Sequence, residues 1–210
     1  MGPLPQSIVH YLPVTDHDER WGIVCTTAGY QNVPPDSPYP LTQHPDSYSF
    51  TRLRGRILNE YQLLYIVSGQ GEFRSASSPA TRVKAGTVIM LFPEEWHTYA
   101  PDPETGWEEW WVGFRGEDID RRVAAGFFSR ETPLLHIGHS AGIVSCYQEI
   151  IRTAEEERKG FQQLITGIVT HLLGSVLFKR DNLQYLDNPI VEKINRAREI
   201  MRRHIGENLP

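Results

Sequence analysis

The placement of proline constrains this chain more than any other single feature. Thirteen of its fifteen prolines lie at or before Pro133, and only Pro189 and Pro210 lie beyond it. Proline removes a backbone donor and breaks helix interiors, so the first part suits short strands and turns. Most aromatic residues fall in the same part, which also favours strands. The remainder is rich in Glu, Arg, Leu and Ile at helical spacing. The order is therefore β first, then α.

Candidate strands are 21–27 (WGIVCTT), 48–54 (YSFTRLR), 61–67 (YQLLYIV), 72–75, 82–83, 87–92 (TVIMLF) and 107–114 (WEEWWVGF). Ser68-Gly69-Gln70-Gly71 reads as the turn of a β-hairpin. Many short strands at this spacing predict a sandwich or barrel, spanning about 20–116. Helices are expected at 118–130, 141–159 and 161–180, followed by a linker at 181–188. A last helix at 189–204 has Asn188 as N-cap and Pro189 at its first position. Its apolar stripe of Ile190, Ile194, Ala197 and Met201 needs a partner, so residues 189–210 read as the start of a second domain.

Charge and composition remove several classes. The 210 residues carry 21 Lys plus Arg against 26 Asp plus Glu, a formal net charge of −5. That argues against a free-standing nucleic-acid binder, which carries a basic surplus. No window of about 18 apolar residues is evident, so no membrane-spanning helix is expected. The N-terminus lacks the basic start and apolar stretch of a signal peptide. Cys25 and Cys146 are the only cysteines, too few for a disulfide framework or a zinc site, so a cytoplasmic protein is expected.

Four groups of residues carry possible chemistry. An apolar strand ending in Phe92-Pro93-Glu94-Glu95-Trp96-His97 delivers His97 to a barrel mouth. Metal sites need three or four convergent ligands, and no His-x-His pair accompanies His97. A structural or sugar-facing role is expected for it instead, with no metal and no cofactor. On 107–114, alternation puts Glu109 and Trp111 on one face and Glu108 and Trp110 on the other. A Trp beside a carboxylate inside a small barrel suits a sugar ring. Adjacent Glu108 and Glu109 point apart, so they cannot form a glycosidase pair. Arg52, Arg54 and Arg56 share a face if their strand is regular, and one of them can reach a pocket. The stripe with Ile165, Ile168, Leu172 and Val176 is wider than one contact needs, and is read as a homodimer seam.

Three stretches then resemble the AraC family of bacterial transcription factors: 55–71 (GRILNEYQLLYIVSGQG), 85–99 and 107–116 (WEEWWVGFRG). The resemblance implies an α+β, mainly β fold: a cupin-like double-stranded β-helix barrel, then an antiparallel helix pair, then one final helix. It implies a metal-free pocket for a small effector, often a sugar, with an N-terminal arm at about 7–18 folding over it. Carried over by position, Tyr99 matches a pocket tyrosine of the arabinose-binding member, and Trp111 matches the indole that stacks on the sugar. Glu109 falls where that member has a histidine. Arg52 or Arg54 matches a sugar-contacting arginine. Residues 1–180 would be the effector-binding and dimerisation domain, and 189–210 the first helix of a DNA-binding domain. The competing readings are a metal-dependent cupin enzyme (isomerase or dioxygenase) and a sugar-binding module with no DNA role.

Overall fold

A computed structural model describes residues 7–40, 48, 54–186, 190 and 194. Among the described residues there are eight strands: β1 (Ser7–Tyr11), β2 (Val24–Val33), β3 (Tyr61–Ser75), β4 (Thr81–Lys84), β5 (Thr87–Leu91), β6 (His97–Pro101), β7 (Trp107–Arg115) and β8 (Leu134–His136). Four helices accompany them: α1 (Asp16–Glu19), α2 (Glu117–Ala124), α3 (Ala141–Glu156) and α4 (Phe161–Leu186). The α+β, mainly β fold expected above is the one observed: an antiparallel barrel followed by a helix pair.

The barrel is built around one strand. The first half of β3 pairs with β5 and β7, in a sheet ordered β1-β2-β7-β3-β5-β8. Its second half leaves that sheet and pairs with β4 and β6. The hairpin expected at Ser68–Gly71 is therefore corrected. A register shift between Ile66 and Ser68 bends the chain without reversing it. Gly69, at φ 79°, passes so close to the Gly106 carbonyl that a Cβ would lie 2.1 Å from its oxygen.

Alternation along the strands creates two cores. Tyr61, Leu63, Tyr65, Trp110, Val112 and Phe114 face the helices, where they meet Ile150, Val169 and Leu172. Leu64, Ile66, Trp107 and Trp111 face the barrel interior with Phe73, Ile89, Leu91 and Tyr99. Two buried phenol groups on the helix side close on the backbone. The Tyr147 hydroxyl donates to the Leu63 carbonyl at 3.0 Å, and Tyr65 bridges the Gly138 carbonyl and the Ser140 amide. Gln162 of α4 both accepts from the Cys25 amide and donates to its carbonyl, next to the bulge between Cys25 and Thr27.

Helix bounds also differ from expectation. Helix α4 continues through Leu186, so most of the expected linker at 181–188 is helical. Most of the expected final helix lies outside the described residues. Over Phe161–Leu183, α4 is long and apolar enough to cross a membrane, contrary to the composition reading. Its stripe of Ile165, Val169, Leu172 and Val176 is fully buried against the domain's own core, as in a core helix.

Candidate functional site

A single strand pattern opens the barrel interior to polar chemistry. Among the inward positions, Gln62 of β3 and Glu109 of β7 replace the apolar side chains that fill the rest, and both are buried. They line a cavity with Trp111, Tyr99 and Arg56. Edge strand β1, the first part of the arm expected at 7–18, adds Val9 and Tyr11, and β2 adds Thr27 and Gln31. The remaining wall is Tyr39-Pro40 and Tyr48, from the chain between β2 and β3.

Arg56 is the electrostatic hub. Its backbone forms a two-way bridge with His97, at 2.9 and 3.0 Å, which holds it beside β6. Its guanidinium donates to the Tyr99 hydroxyl at 2.7 Å, the Tyr48 carbonyl at 2.8 Å and Gln62 Oε1 at 3.4 Å. Arg56 Nε donates to His97 Nε2 at 3.3 Å. The other ring nitrogen, Nδ1, lies 3.0 Å from the Glu95 carbonyl, which only accepts, so Nδ1 carries the proton. Burial and then the Arg56 charge hold His97 down at about 3, so the imidazole is neutral with both nitrogens engaged.

Two buried carboxyl groups complete the site. Glu60 accepts from Gln62 Nε2 at 2.7 Å, Thr27 Oγ1 at 3.3 Å and the Tyr48 hydroxyl at 3.0 Å. Glu109 receives the Tyr39 hydroxyl, 2.9 Å from Oε1 and 3.2 Å from Oε2. Burial dominates there and lifts Glu109 to about 8, against the downward pull of the Tyr39 bond and Arg56. Burial likewise raises Tyr99 to about 12. Trp111 lies over the backbone of Gly29, where a Cβ would sit 2.1 Å from the indole. Only glycine permits that approach.

The structure brings Tyr99, Glu109 and Trp111 together on the cavity wall, and sets His97 behind Arg56. Arg54 is exposed; its carbonyl accepts from Trp96 Nε1 at 3.0 Å. Arg52 lies outside the described residues. The chain turns at Gly55, so the regular alternation assumed for the three arginines fails and Arg56 is the one that enters the cavity. The expected seam is corrected too. Ile165, Leu172 and Val176 point into their own domain, and only Ile168 is partly exposed. The surface beside it is formed by Leu164, Gly167 and His171 of α4 with Ser145 and Cys146 of α3. Tyr39, Glu60 and Gln62 were not anticipated. Gln62, a polar residue inside an apolar strand, carried a usable signal; Tyr39 carried none. Among the described residues, no three His, Cys, Asp or Glu side chains cluster closely enough to hold a metal ion.

The family model described as the AraC-like ligand binding domain matches residues 37–173. The chain belongs to this family. The AraC-like domain is 32% identical over 134 residues to the raffinose operon transcriptional regulatory protein RafR of Pediococcus pentosaceus. That match covers 62% of this chain but 45% of the relative, so the chain spans less than half of RafR. Among solved structures, ToxT of Vibrio cholerae is similar at a TM-score of 0.37 and 14% identity, covering 73% of this chain and 61% of ToxT. An RmlC-like cupin protein of Methanocaldococcus jannaschii is similar at a TM-score of 0.34 and 13% identity, covering 55% of this chain and 85% of that protein.

Proposed function

We propose that this AraC-like domain senses a small polyhydroxylated effector, a sugar, in the barrel cavity. The observation that carries the reading is the convergence of Glu109, Arg56 and Tyr99 beside the Trp111 indole. An indole offers a flat apolar face for sugar C–H groups, while the polar groups receive or donate hydroxyl hydrogen bonds. The name of the RafR relative supports the sugar class. Binding, not catalysis, is the role of the site. Glu60 and His97 are both engaged by internal partners, as befits groups that shape a binding cavity.

In this reading, effector occupancy is transmitted to DNA-binding units of a cytoplasmic regulator that acts as a homodimer. A ligand shifts such a system only through different affinities for its two states. The dimer surface is the exposed strip of Leu164, Ile168 and His171 on α4 with Cys146 on α3, a shallow and mainly apolar groove. Symmetric pairing of this kind is the commonest assembly.

Thermal melting with a panel of mono- and oligosaccharides, with and without chelator, tests the proposal. A sugar at about 100 times its Kd adds roughly 2.7 kcal/mol. The expected result is a chelator-insensitive shift with one sugar class. A loss of stability on chelation, with no sugar response, would transfer the site to metal chemistry.

A further inference from the structure

The cavity is nearly filled, and one side chain of its lining, Tyr39, comes from outside the barrel strands. About 20 Å³ remains open within it. One water needs roughly 10–15 Å³ of such space, so a sugar ring does not fit. Tyr39 takes up part of this interior. Its hydroxyl bonds to both oxygens of Glu109. Its ring meets Trp107 edge-on, with centroids 5.7 Å apart and planes at 88°, and stands tilted against Tyr99 at 6.1 Å. A hydroxyl on a buried carboxyl group and a ring against an indole are the contacts a bound sugar would make.

Tyr39 arrives on the Pro-rich run Pro34-Pro35-Asp36-Ser37-Pro38-Tyr39-Pro40, outside the strands. Prolines lack amide donors, so four of the seven residues of this run cannot donate a backbone hydrogen bond. The Asp36 amide donates to the Pro103 carbonyl at 2.8 Å, and the Ser37 amide donates within the run, to the Pro34 carbonyl at 3.3 Å. Trp107, Tyr99 and Glu109, by contrast, are held in sheet ladders. Withdrawing Tyr39 therefore opens the site without dismantling the barrel.

We propose that Tyr39 is a tethered occupant of the effector's place, which the effector must displace to bind. The proposal rests on the reading of the barrel cavity as the effector site. It makes Tyr39 a determinant of affinity and selectivity. Only ligands that return a hydrogen bond to Glu109 and a face to the indoles compensate for its departure. The apparent affinity is lowered by the fraction of molecules with Tyr39 withdrawn.

The test is calorimetric titration of the unmodified chain, Tyr39→Phe and Tyr39→Ala with raffinose, D-galactose and p-cresol, the last being the tyrosine side chain as a free molecule. With Tyr39 withdrawn in about a tenth of molecules or fewer, Tyr39→Ala binds the sugar about tenfold tighter or more, with Tyr39→Phe in between. p-Cresol binds Tyr39→Ala, competes there with the sugar, and does not bind the unmodified chain. Weaker sugar binding by Tyr39→Ala would overturn the proposal and make Tyr39 an ordinary wall of a sugar site. If neither sugar binds any form while p-cresol binds Tyr39→Ala but not Tyr39→Ala/Glu109→Ala, the sugar reading falls and the tethered occupant stands. Failure of p-cresol to bind a folded Tyr39→Ala would overturn the proposal whatever the sugars do, and Tyr39→Phe supplies the sugar comparison if the alanine variant does not fold.

Discussion

The two cores share their strands and differ in their chemistry. On the helix side, Leu63, Tyr65, Trp110 and Val112 pack against α3 and α4, and the phenol groups there close on backbone carbonyls. One residue along in each strand, on the barrel side, stand Gln62, Glu109 and Trp111 around a polar cavity. The helix-side core has what stability requires: apolar area and satisfied hydroxyls. The barrel side holds two buried carboxyl groups, a guanidinium and a neutral imidazole. Burying such groups costs free energy, which the apolar core has to offset. Stability and recognition are thus divided between odd and even positions of the same strands.

That division is broken most severely from the apolar side. Leu63→Ala, at a fully buried position, is expected to lower stability by about 2–5 kcal/mol, read from urea unfolding. Gly29→Ala should cost about 1–3 kcal/mol by overpacking, because the new methyl collides with Trp111. Its distinguishing readout is a changed near-UV signal from the displaced indole and a lost sugar response in a folded protein.

Glu109→Gln separates the two sides by pH. Folding raises Glu109 from 4.5 to about 8, so the native state favours its protonated form. Its contribution is fully present below 4.5 and is lost as pH rises towards 8. The melting temperature of Glu109→Gln minus that of the unmodified chain should grow across this window and level off above it. His97 works in the opposite sense: held at about 3 instead of 6.5, it contributes above 6.5 and loses that contribution as pH falls towards 3. A difference that stays flat across the upper window would mean that Glu109 is ionised in the cavity. The smallest effect on folding is expected for Leu164→Asp, within about 0.5 kcal/mol at this exposed position of the same strip. Sedimentation should nevertheless show a monomer where the unmodified chain forms the dimer proposed above.

Alternation made the β7 faces legible: the pairing of Glu109 with Trp111 and of Glu108 with Trp110 needs only the period of a strand. The hairpin reading of Ser68–Gly71 failed because glycine and serine there bend a continuous strand between two sheets, and composition does not separate a bend from a reversal. Strands β1, β6 and β8 escaped notice because their residues (His97-Thr98-Tyr99-Ala100-Pro101 in β6) are recruited by partners instead of by pattern. Arg56 looks like its neighbours in sequence, and its entry into the cavity depends on the bridge to His97, a contact far away along the chain. Tyr39 is placed by the path of an irregular segment, which no periodicity records.

The alternation on β7 also bears on how such a domain diversifies. Glu109 and Trp111, which line the cavity, can be exchanged for side chains that fit another effector while Trp110, Val112 and Phe114 keep their places against the helices. Point substitutions at every second residue are thus a low-risk route to new specificity. A single-residue insertion in the same strand would move each set into the other's position, sending the indole of Trp110 into the cavity and the carboxyl of Glu109 into the apolar core.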